Sequence, residues 1–334
     1  MPRLNKSLLM AWLAVACGSA CHAQALTADG NNADTYWLIT SSGFNYEVPD
    51  TSRDHAPSPF RHISQVYDSE LNAYSFAFCI HALIDDDRGI GSINDRQRVE
   101  IKTDNGSPAS ALAKEGETLT LRWKMKLPEG FKTTTKFCHL HQLKGIDNAS
   151  GTADVSNPLI TLTAYTIGGV EKLQLRYYDR STGEISAKKT INLSELLGEW
   201  VEITENVTFG TNQIRTNNGR YKIVITRMSD NKELMSWTKN SAIDLWQTDC
   251  TAMRPKWGIY RYIGENRCME TQLRDEEVRF ADFKIEKGIS NSISPVCGDA
   301  TGSKRYVDLC GRQSATAYTW GGVYIYNGKK FLNK

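Results

Sequence analysis

The chain has 334 residues, of which 40% are hydrophobic and 23% charged, with 40 Lys and Arg residues against 38 Asp and Glu. This near balance argues against a nucleic-acid-binding protein, which normally carries a basic surplus. No stretch reaches the roughly 20 apolar residues that a membrane-spanning helix needs. Affinity for an anionic partner must therefore come from a local cluster of cations.

The first residues resemble an export signal. Arg3 and Lys6 precede a short apolar run, and small residues follow it up to Ala25. A basic start, a short apolar core and a small-residue end are typical of a secretory signal peptide. We predict a signal peptide over residues 1–25 and a secreted protein, extracellular or periplasmic. The alternative is a lipoprotein signal, in which a lipid is attached at Cys17.

The cysteine count fits an oxidising compartment. Of eight cysteines, two lie in the predicted signal peptide, which leaves an even number in the mature chain. Disulfides are the natural interpretation for an exported protein. Proximity in sequence favours one of several connectivities: Cys79–Cys138, Cys250–Cys268 and Cys297–Cys310.

Strand patterns dominate the mature chain. In Thr118–Leu127 apolar residues alternate with polar ones, as expected when one face of a strand is buried. Helical signal is confined to one turn at Ser194–Leu197. We therefore predict an all-β jelly roll, an antiparallel two-sheet sandwich with a concave groove. Similar runs are Ala73–His81, Arg98–Lys102, Leu159–Tyr165, Lys172–Tyr178, Val201–Phe209, Tyr221–Arg227, Trp257–Ile263 and Val278–Glu286.

The domain boundary follows the last of these runs. We predict one β-domain over residues 26–288, and then a linker with a small disulfide-tied C-terminal extension over residues 289–334. The extension is basic, with six Lys and Arg residues against two Asp. A small polymer-contacting module is the alternative to an extension that packs on the sandwich.

One candidate site residue ends the first of the strands. In Ala73–His81, the bulky side chains Tyr74, Phe76 and Phe78 share one face and the small side chains share the other. We interpret the bulky face as the core. His81 then points away from the core, with room around it for a ligand.

A charged strand supplies a candidate carboxylate clamp. In Arg98–Lys102, Val99 and Ile101 face the core, which leaves Arg98 outward beside Glu100. An arginine braced by a carboxylate is a stiff fork for a substrate carboxylate. An ordinary ion pair is the alternative.

Two histidines make the next segment harder to interpret. In Lys136–Lys144, Phe137 and Leu143 mark the core face, and His139 and His141 share it as hydrogen-bonded core histidines. A β-bulge would reverse the faces, so His141 is a second candidate for a catalytic base. Two side chains are expected in the groove: Gln142 and Lys144.

The segment Lys256–Arg261 carries the main candidate. Trp257 and Ile259 mark its core face, so the opposite face holds Lys256 and Tyr260. A phenol can donate and accept a proton, and cations beside it are expected to lower its pKa. This pairing suits an elimination reaction on an acidic sugar.

Three segments in this order, Arg98–Lys102, His139–Lys144 and Lys256–Arg261, resemble the jelly-roll polysaccharide lyases. The glucuronan lyases and heparin lyase I are the most similar groups, ulvan lyases are near, and jelly-roll alginate lyases share a looser form. The resemblance spans roughly residues 35–287. It implies a secreted enzyme that cuts a uronic-acid polymer by β-elimination and leaves an unsaturated uronate end.

The resemblance also implies residue roles. Tyr260 would be the acid, and Arg98 and Gln142 would hold the uronate carboxylate. The charge that develops when the C5 proton leaves needs stabilising donors, a role that also suits Lys256. Four side chains remain candidates for the base: Tyr260, His81, His141 and Lys144.

This chemistry requires no cofactor. Asp85, Asp86 and Asp87 form either a structural calcium site or a solvated turn. We expect an anionic polysaccharide as the partner and a monomeric protein.

Two other functions fit the same fold. A jelly-roll glycoside hydrolase would pair Glu100 with an acid on another strand. A non-catalytic carbohydrate-binding protein would use Trp123, Tyr260 and Tyr262 to stack on sugars.

Overall fold

The computed structural model describes residues 23–49, 61–211 and 218–288, together with the backbone of four short strands between residues 306 and 333. The chain divides into two compact units, Met1–Ser290 and Asn291–Lys334. In the described ranges, no helix is both long and apolar enough to cross a membrane.

The first unit is built almost entirely from strands. Its strands are β1 (Gln24–Leu26), β2 (Asn45–Glu47), β3 (Ile63–Asp68), β4 (Ala73–Ile80), β5 (Arg96–Lys102), β6 (Thr118–Lys126), β7 (Cys138–Ile146), β8 (Ile160–Ile167), β9 (Val170–Asp179), β10 (Glu184–Asn192), β11 (Trp200–Thr208), β12 (Gly219–Arg227), β13 (Lys232–Ile243), β14 (Ala252–Tyr262) and β15 (Glu276–Gly288). Among the described residues, the first unit also has one α-helix, α1 (Thr35–Ser41). Short 3-10 turns occur at Asn32–Asp34, Ala109–Ala111, Leu193–Glu195, Glu265–Arg267 and Glu270–Gln272.

These strands form two antiparallel sheets. One has eight strands in the order β13-β12-β11-β6-β15-β4-β3, with β1 paired to β15. The other has seven strands in the order β10-β9-β8-β7-β14-β5-β2. The two-sheet sandwich confirms the predicted all-β jelly roll. We call the side of the seven-stranded sheet that faces away from the core the groove face.

The second unit contains a four-stranded sheet of its own. Its strands are β16 (Tyr306–Asp308), β17 (Gln313–Ser314), β18 (Gly322–Tyr326) and β19 (Lys329–Asn333), in the order β17-β16-β18-β19. The predicted Cys297–Cys310 disulfide and the linker at 289–295 lie outside the described residues.

The core lies between the two sheets and follows the alternation in the sequence. On β6, Leu119, Leu121, Trp123 and Met125 are at most 1% exposed. Burial of such side chains is the dominant favourable contribution to folding. Tyr74 is an exception to the predicted core face, because it is 41% exposed and contacts Tyr67 edge-to-face near the β3–β4 turn.

The start of the folded unit bears on the predicted signal peptide. Residues 1–22 lie outside the described part, but β1 begins at Gln24 and pairs with β15, and Leu26 is buried. Cleavage after Ala25 would remove two of the three β1 residues. Cleavage after Ala23 would keep the strand whole.

The disulfide prediction is wrong for the four described cysteines, which are all free. On β4 of the eight-stranded sheet, Cys79 lies between the core residues Phe78 and Ile80 and therefore faces away from the core. Cys138, on the seven-stranded sheet, faces into the core. Cys250 and Cys268 flank opposite ends of the 11-residue β14. A strand of that length spans roughly 35 Å, far beyond the distance of about 7 Å that a disulfide allows between Cα atoms.

Alkylation under non-reducing conditions tests this arrangement. We expect exposed Cys268 to react with iodoacetamide in the native protein. Cys138 should react only after unfolding, because burial raises the pKa of its thiol to about 12. Mass spectrometry of tryptic peptides reads the labelling. A peptide pair linking Cys79 to Cys138, or Cys250 to Cys268, would contradict the structure.

Candidate active site

Tyr260 lies on the groove face, two residues before the end of β14. Its strand, β14, is flanked by β5 and β7, and Tyr260 is in register with Arg98 on one side and His139 on the other. Directly opposed residues of paired strands have Cβ atoms about 5 Å apart. The sheet therefore brings a phenol, a guanidinium and an imidazole into one row.

Two arginines contact the Tyr260 phenol. Arg96 donates a hydrogen bond from Nη1 to the phenol oxygen at 2.7 Å. The Arg98 guanidinium lies 3.7 Å from the centre of the ring. Burial nevertheless raises the pKa of Tyr260, and the two arginines offset this only in part. The predicted lowering of the Tyr260 pKa is therefore wrong, and the phenol is protonated at neutral pH.

A β-bulge in β7 brings His139 to the groove face. Residues 139 and 141 pair with the adjacent residues Thr163 and Leu162 of β8, so β7 contains one extra residue between them. Leu140 and His141 are consequently both buried, at 0% and 1% exposure. The expectation that His139 belongs to the core is wrong, because the alternation is interrupted beside it.

The His139 ring has a defined position and protonation state. Its Nδ1 is 2.8 Å from Thr163 Oγ1, and its ring stacks on Phe137 with centroids 4.9 Å apart. The Tyr260 ring centroid is 5.7 Å away. Burial, followed by the charges of Arg176 and Arg98, lowers the pKa of His139 well below its usual value. His139 is therefore a neutral imidazole at neutral pH.

His141, the second candidate for a base, lies in the core instead. Its Nε2 is 3.0 Å from a carboxylate oxygen of Glu205, whose other oxygen accepts a bond from Tyr221. The ring packs against Trp123, with centroids 4.6 Å apart. The same packing leaves Trp123 only 1% exposed, so the suggestion that Trp123 stacks on sugars is also wrong.

Carboxylates of the protein already bind Arg98. Its Nε and Nη2 donate to Asp87, and its Nη1 donates to Glu47 and Glu100. Its side chain is 12% exposed. These contacts fit the ion-pair alternative better than an open clamp, and they fix the guanidinium against the Tyr260 ring.

The side chains of Gln142 and Lys256 point toward the groove face as Tyr260 does, but other side chains cover them. Lys256 donates to Glu47 and Glu100 at 2.6 Å, and Gln142 donates to Glu100. Both residues are 2% exposed. Lys256 lies four residues before Tyr260, which corresponds to roughly 13 Å along the strand. Their contacts place Lys256 and Gln142 in the floor of the groove, and their binding of the reacting sugar stays a prediction.

Lys144 lies further along the groove. It is in register with Arg254, six residues from Tyr260, which corresponds to roughly 20 Å along the strand. Burial and then the charge of Lys256 lower its pKa to about 8. Its position removes it as a base that acts together with Tyr260 on one sugar.

His81 is also separate from Tyr260. It follows β4, a strand of the eight-stranded sheet, and its Nδ1 is 3.2 Å from Asp85. The three successive aspartates have different partners: Asp85 pairs with His62 and His81, Asp86 accepts a bond from the Gly89 amide, and Asp87 binds arginines. The calcium site suggested by these aspartates stays a prediction, and their side chains diverge from any shared centre.

Sequence reasoning gave Arg96 no role and missed the role of His139. Alternation on the strand places Arg96 outward together with Arg98, two residues later, but nothing in the sequence marked its contact with the phenol. Thr163 and Arg176, on neighbouring strands β8 and β9, complete the surroundings of His139. Both residues lie far from His139 in the sequence, so no local motif marked them as its neighbours.

Comparison with solved structures shows the fold. An alginate lyase of family PL-14 from Aplysia kurodai has 12% sequence identity, covers 80% of this chain and 99% of its own, and gives a TM-score of 0.51. The alginate lyase vAL-1 from Chlorella virus has 11% identity, covers 75% of this chain and 96% of its own, and has a TM-score of 0.43. Alginate lyase A1-II', a member of polysaccharide lyase family 7, has 12% identity, covers 75% of this chain and 96% of its own, and has a TM-score of 0.45. No family model and no curated protein matches the sequence.

The arginine at the phenol provides a test of the site. Replacing Arg96 with Met removes a hydrogen bond and a charge that stabilise the phenolate, so we expect the pKa of Tyr260 to rise further. Alkaline titration of labelled tyrosine ring carbons by NMR, assigned with Tyr260→Phe, measures it. Lys136→Met is the matched control, because Lys136 lies over Tyr262 instead. An unchanged or lower Tyr260 pKa in Arg96→Met would contradict the assigned contact.

Proposed function

We propose that the protein is a polysaccharide lyase that cleaves a uronic-acid polymer by β-elimination. The observation that carries this proposal is the pairing of a protonated phenol, Tyr260, with a neutral imidazole, His139, on the groove face. An elimination needs both an acid and a base within reach of one sugar. The jelly-roll fold shared with an alginate lyase supports the same reaction class.

The two groups divide the proton transfers between them. Because His139 Nδ1 is hydrogen-bonded to Thr163, we assign Nε2 as the atom that removes the C5 proton of the uronate. The electrons of the broken C–H bond form the C4–C5 double bond as the glycosidic C–O bond breaks. Tyr260 donates its proton to the departing oxygen, since burial keeps the phenol protonated.

A positive field on the groove face supports an anionic substrate. Burial is the main cause of the lowered pKa values of His139 and Lys144, two groups at different points of the groove, and the charges of Arg98 and Lys256 lower both further. A fixed positive potential attracts a polyanion and stabilises the enolate that forms at the uronate carboxylate. We assign direct contact with that carboxylate to Arg96, whose Nε and Nη2 donate to Asp95 and whose side chain is 34% exposed, more than the 12% of Arg98.

The glycoside hydrolase alternative is weaker. It needs one protonated carboxylic acid and one carboxylate facing each other across the sugar. On the groove face, Glu47 and Glu100 both bind Lys256 and Arg98. Burial raises the pKa of Glu47, but Lys256, Arg98 and Lys102 lower it more, so the side chain is a carboxylate and not an acid.

We also propose where the protein acts and which polymers it acts on. The N-terminal pattern supports a secreted protein, and the neutral balance of the mature charges argues against nucleic acid as a partner. We propose that the protein acts as a monomer. The polymer belongs to the uronates, with glucuronan, ulvan, heparin-like chains and alginate as candidates.

A polymer panel tests the function. Incubation of the purified protein with alginate, glucuronan, ulvan and heparin should raise the ultraviolet absorbance of the conjugated double bond with at least one of them. Tyr260→Phe should lower turnover by about 10²–10⁴-fold, because the phenol is the general acid. Its binding to the polymer and its thermal stability should stay close to those of the wild type.

Tyr262→Phe is the matched control, since this tyrosine follows on the same strand and should keep its activity. New reducing ends without a rise in absorbance would show a hydrolase. Polymer binding without cleavage would show a carbohydrate-binding protein, and full activity of Tyr260→Phe would exclude Tyr260 as the acid.

A further inference from the structure

Two histidines and an aspartate meet at the open end of the β3–β4 hairpin. His62 directly precedes β3, His81 directly follows β4, and Asp85 lies in the loop after it. His62 Nε2 is 2.9 Å from one Asp85 carboxylate oxygen, and His81 Nδ1 is 3.2 Å from the other. The three ligating atoms all lie within 4.8 Å of one another.

The spacing and chemistry of these atoms match a zinc site. Zinc binds imidazole nitrogen and carboxylate oxygen at about 2.0–2.2 Å in a tetrahedral shell, which places neighbouring ligand atoms about 3.4 Å apart. The separations of 2.9 and 3.2 Å run to different oxygens of Asp85, and with one oxygen taken from Asp85 the three ligand atoms lie within 4.8 Å of one another, so a modest rearrangement admits an ion. One carboxylate and two imidazole nitrogens are also ligands that zinc accepts.

The burial of the cluster suits a bound ion. The His62 and Asp85 side chains are fully buried, whereas the His81 side chain is 23% exposed and gives access from solvent. The His81 amide donates to Asp85 Oδ2 at 2.6 Å, which orients the carboxylate. Supporting contacts of this kind are a regular feature of metal sites.

We propose that His62, His81 and Asp85 bind one divalent transition-metal ion of the zinc type, with its remaining coordination position toward solvent at His81. None of these side chains takes part in the proposed elimination. The binding site therefore stands independently of the proposed function.

The surrounding contacts indicate a positioning role for the ion. Gln97 Nε2 donates to the backbone oxygens of His81 and Asp85, and the Arg98 amide donates to the oxygen of Asp86 at 3.1 Å. The next residue, Asp87, holds the Arg98 guanidinium. An ion at Asp85 would thus fix the segment that holds Arg98 against the Tyr260 ring.

Metal titration of the full-length protein tests the proposal. After EDTA has removed bound metal and has itself been exchanged out, zinc is added in excess and unbound zinc is washed away. We then expect one zinc per chain by elemental analysis, and zinc should raise the unfolding temperature. Zinc should also slow amide hydrogen exchange at Arg98. Cobalt in place of zinc should give the visible absorption of a four-coordinate nitrogen and oxygen site.

Variants distinguish this site from adventitious binding. His81→Ala should lower zinc affinity at least about 10-fold, since loss of a direct ligand should cost at least as much as loss of a supporting contact. Asp85→Asn is the second variant, and both should lose the zinc-dependent rise in unfolding temperature. Cys268→Ala, which removes an exposed thiol, should bind zinc like the wild type.

Comparison in EDTA separates folding defects from lost metal binding. His81→Ala should unfold in EDTA at a somewhat lower temperature than the wild type, because it loses its contact with buried Asp85, so the effect of zinc is measured for each protein from its own value in EDTA. Equal zinc affinity of His81→Ala and the wild type would overturn the proposal. So would the absence of stoichiometric zinc in the saturated wild-type protein.

Discussion

The bulge in β7 determines which side chains can act together in this protein. Leu140 and His141 enter the core as neighbours, and the strand resumes its alternation with His139 on the groove face. Without the extra residue, the strict two-residue period would turn His139 inward, away from Tyr260. The pairing of an imidazole with a phenol therefore depends on one local departure from regular sheet geometry.

The neighbouring strand accommodates this departure with a glycine. Between Trp257 and Tyr260, β14 also shifts its register against β7. Gly258 lies there with φ of 147°, and a Cβ atom at this position would approach the carbonyl oxygen of Val99 to 2.1 Å. Only glycine fits such a close approach of two backbones. The segment Lys256–Arg261 thus owes its glycine to packing rather than to chemistry.

A buried ion cluster supports the groove face from below. Glu47 and Glu100 bind Lys256 and Arg98, and such buried charges are tolerated only when each finds its partners. The cluster holds cations in place without leaving them open to a ligand. Burial and Arg176 are the main causes of the lowered pKa of His139, to which Arg98 and Lys256 of this cluster add, and Arg98 also stacks on the Tyr260 ring.

Alternation in the sequence was sufficient to predict the fold and the outward face of β5 and β14. It placed Tyr260 and Arg98 on the same face correctly, because β5 and β14 pair with each other without a register shift. It failed at His139 because a bulge has no reliable sequence signature, and at His81 because alternation does not say which sheet a strand joins. Pairing cysteines by proximity failed because residues close in sequence can lie at opposite ends of one long strand.

The most direct measurement compares two histidine variants, His139→Asn and His141→Asn, in turnover and in thermal stability. The account predicts that His139→Asn loses about 10²–10⁴-fold in turnover of the uronate polymer and keeps a near-native unfolding temperature. His141→Asn should instead unfold at a lower temperature and retain turnover while folded, because its ring lies between Trp123 and Glu205. Full turnover by His139→Asn, with turnover lost in a stably folded His141→Asn, would contradict the account.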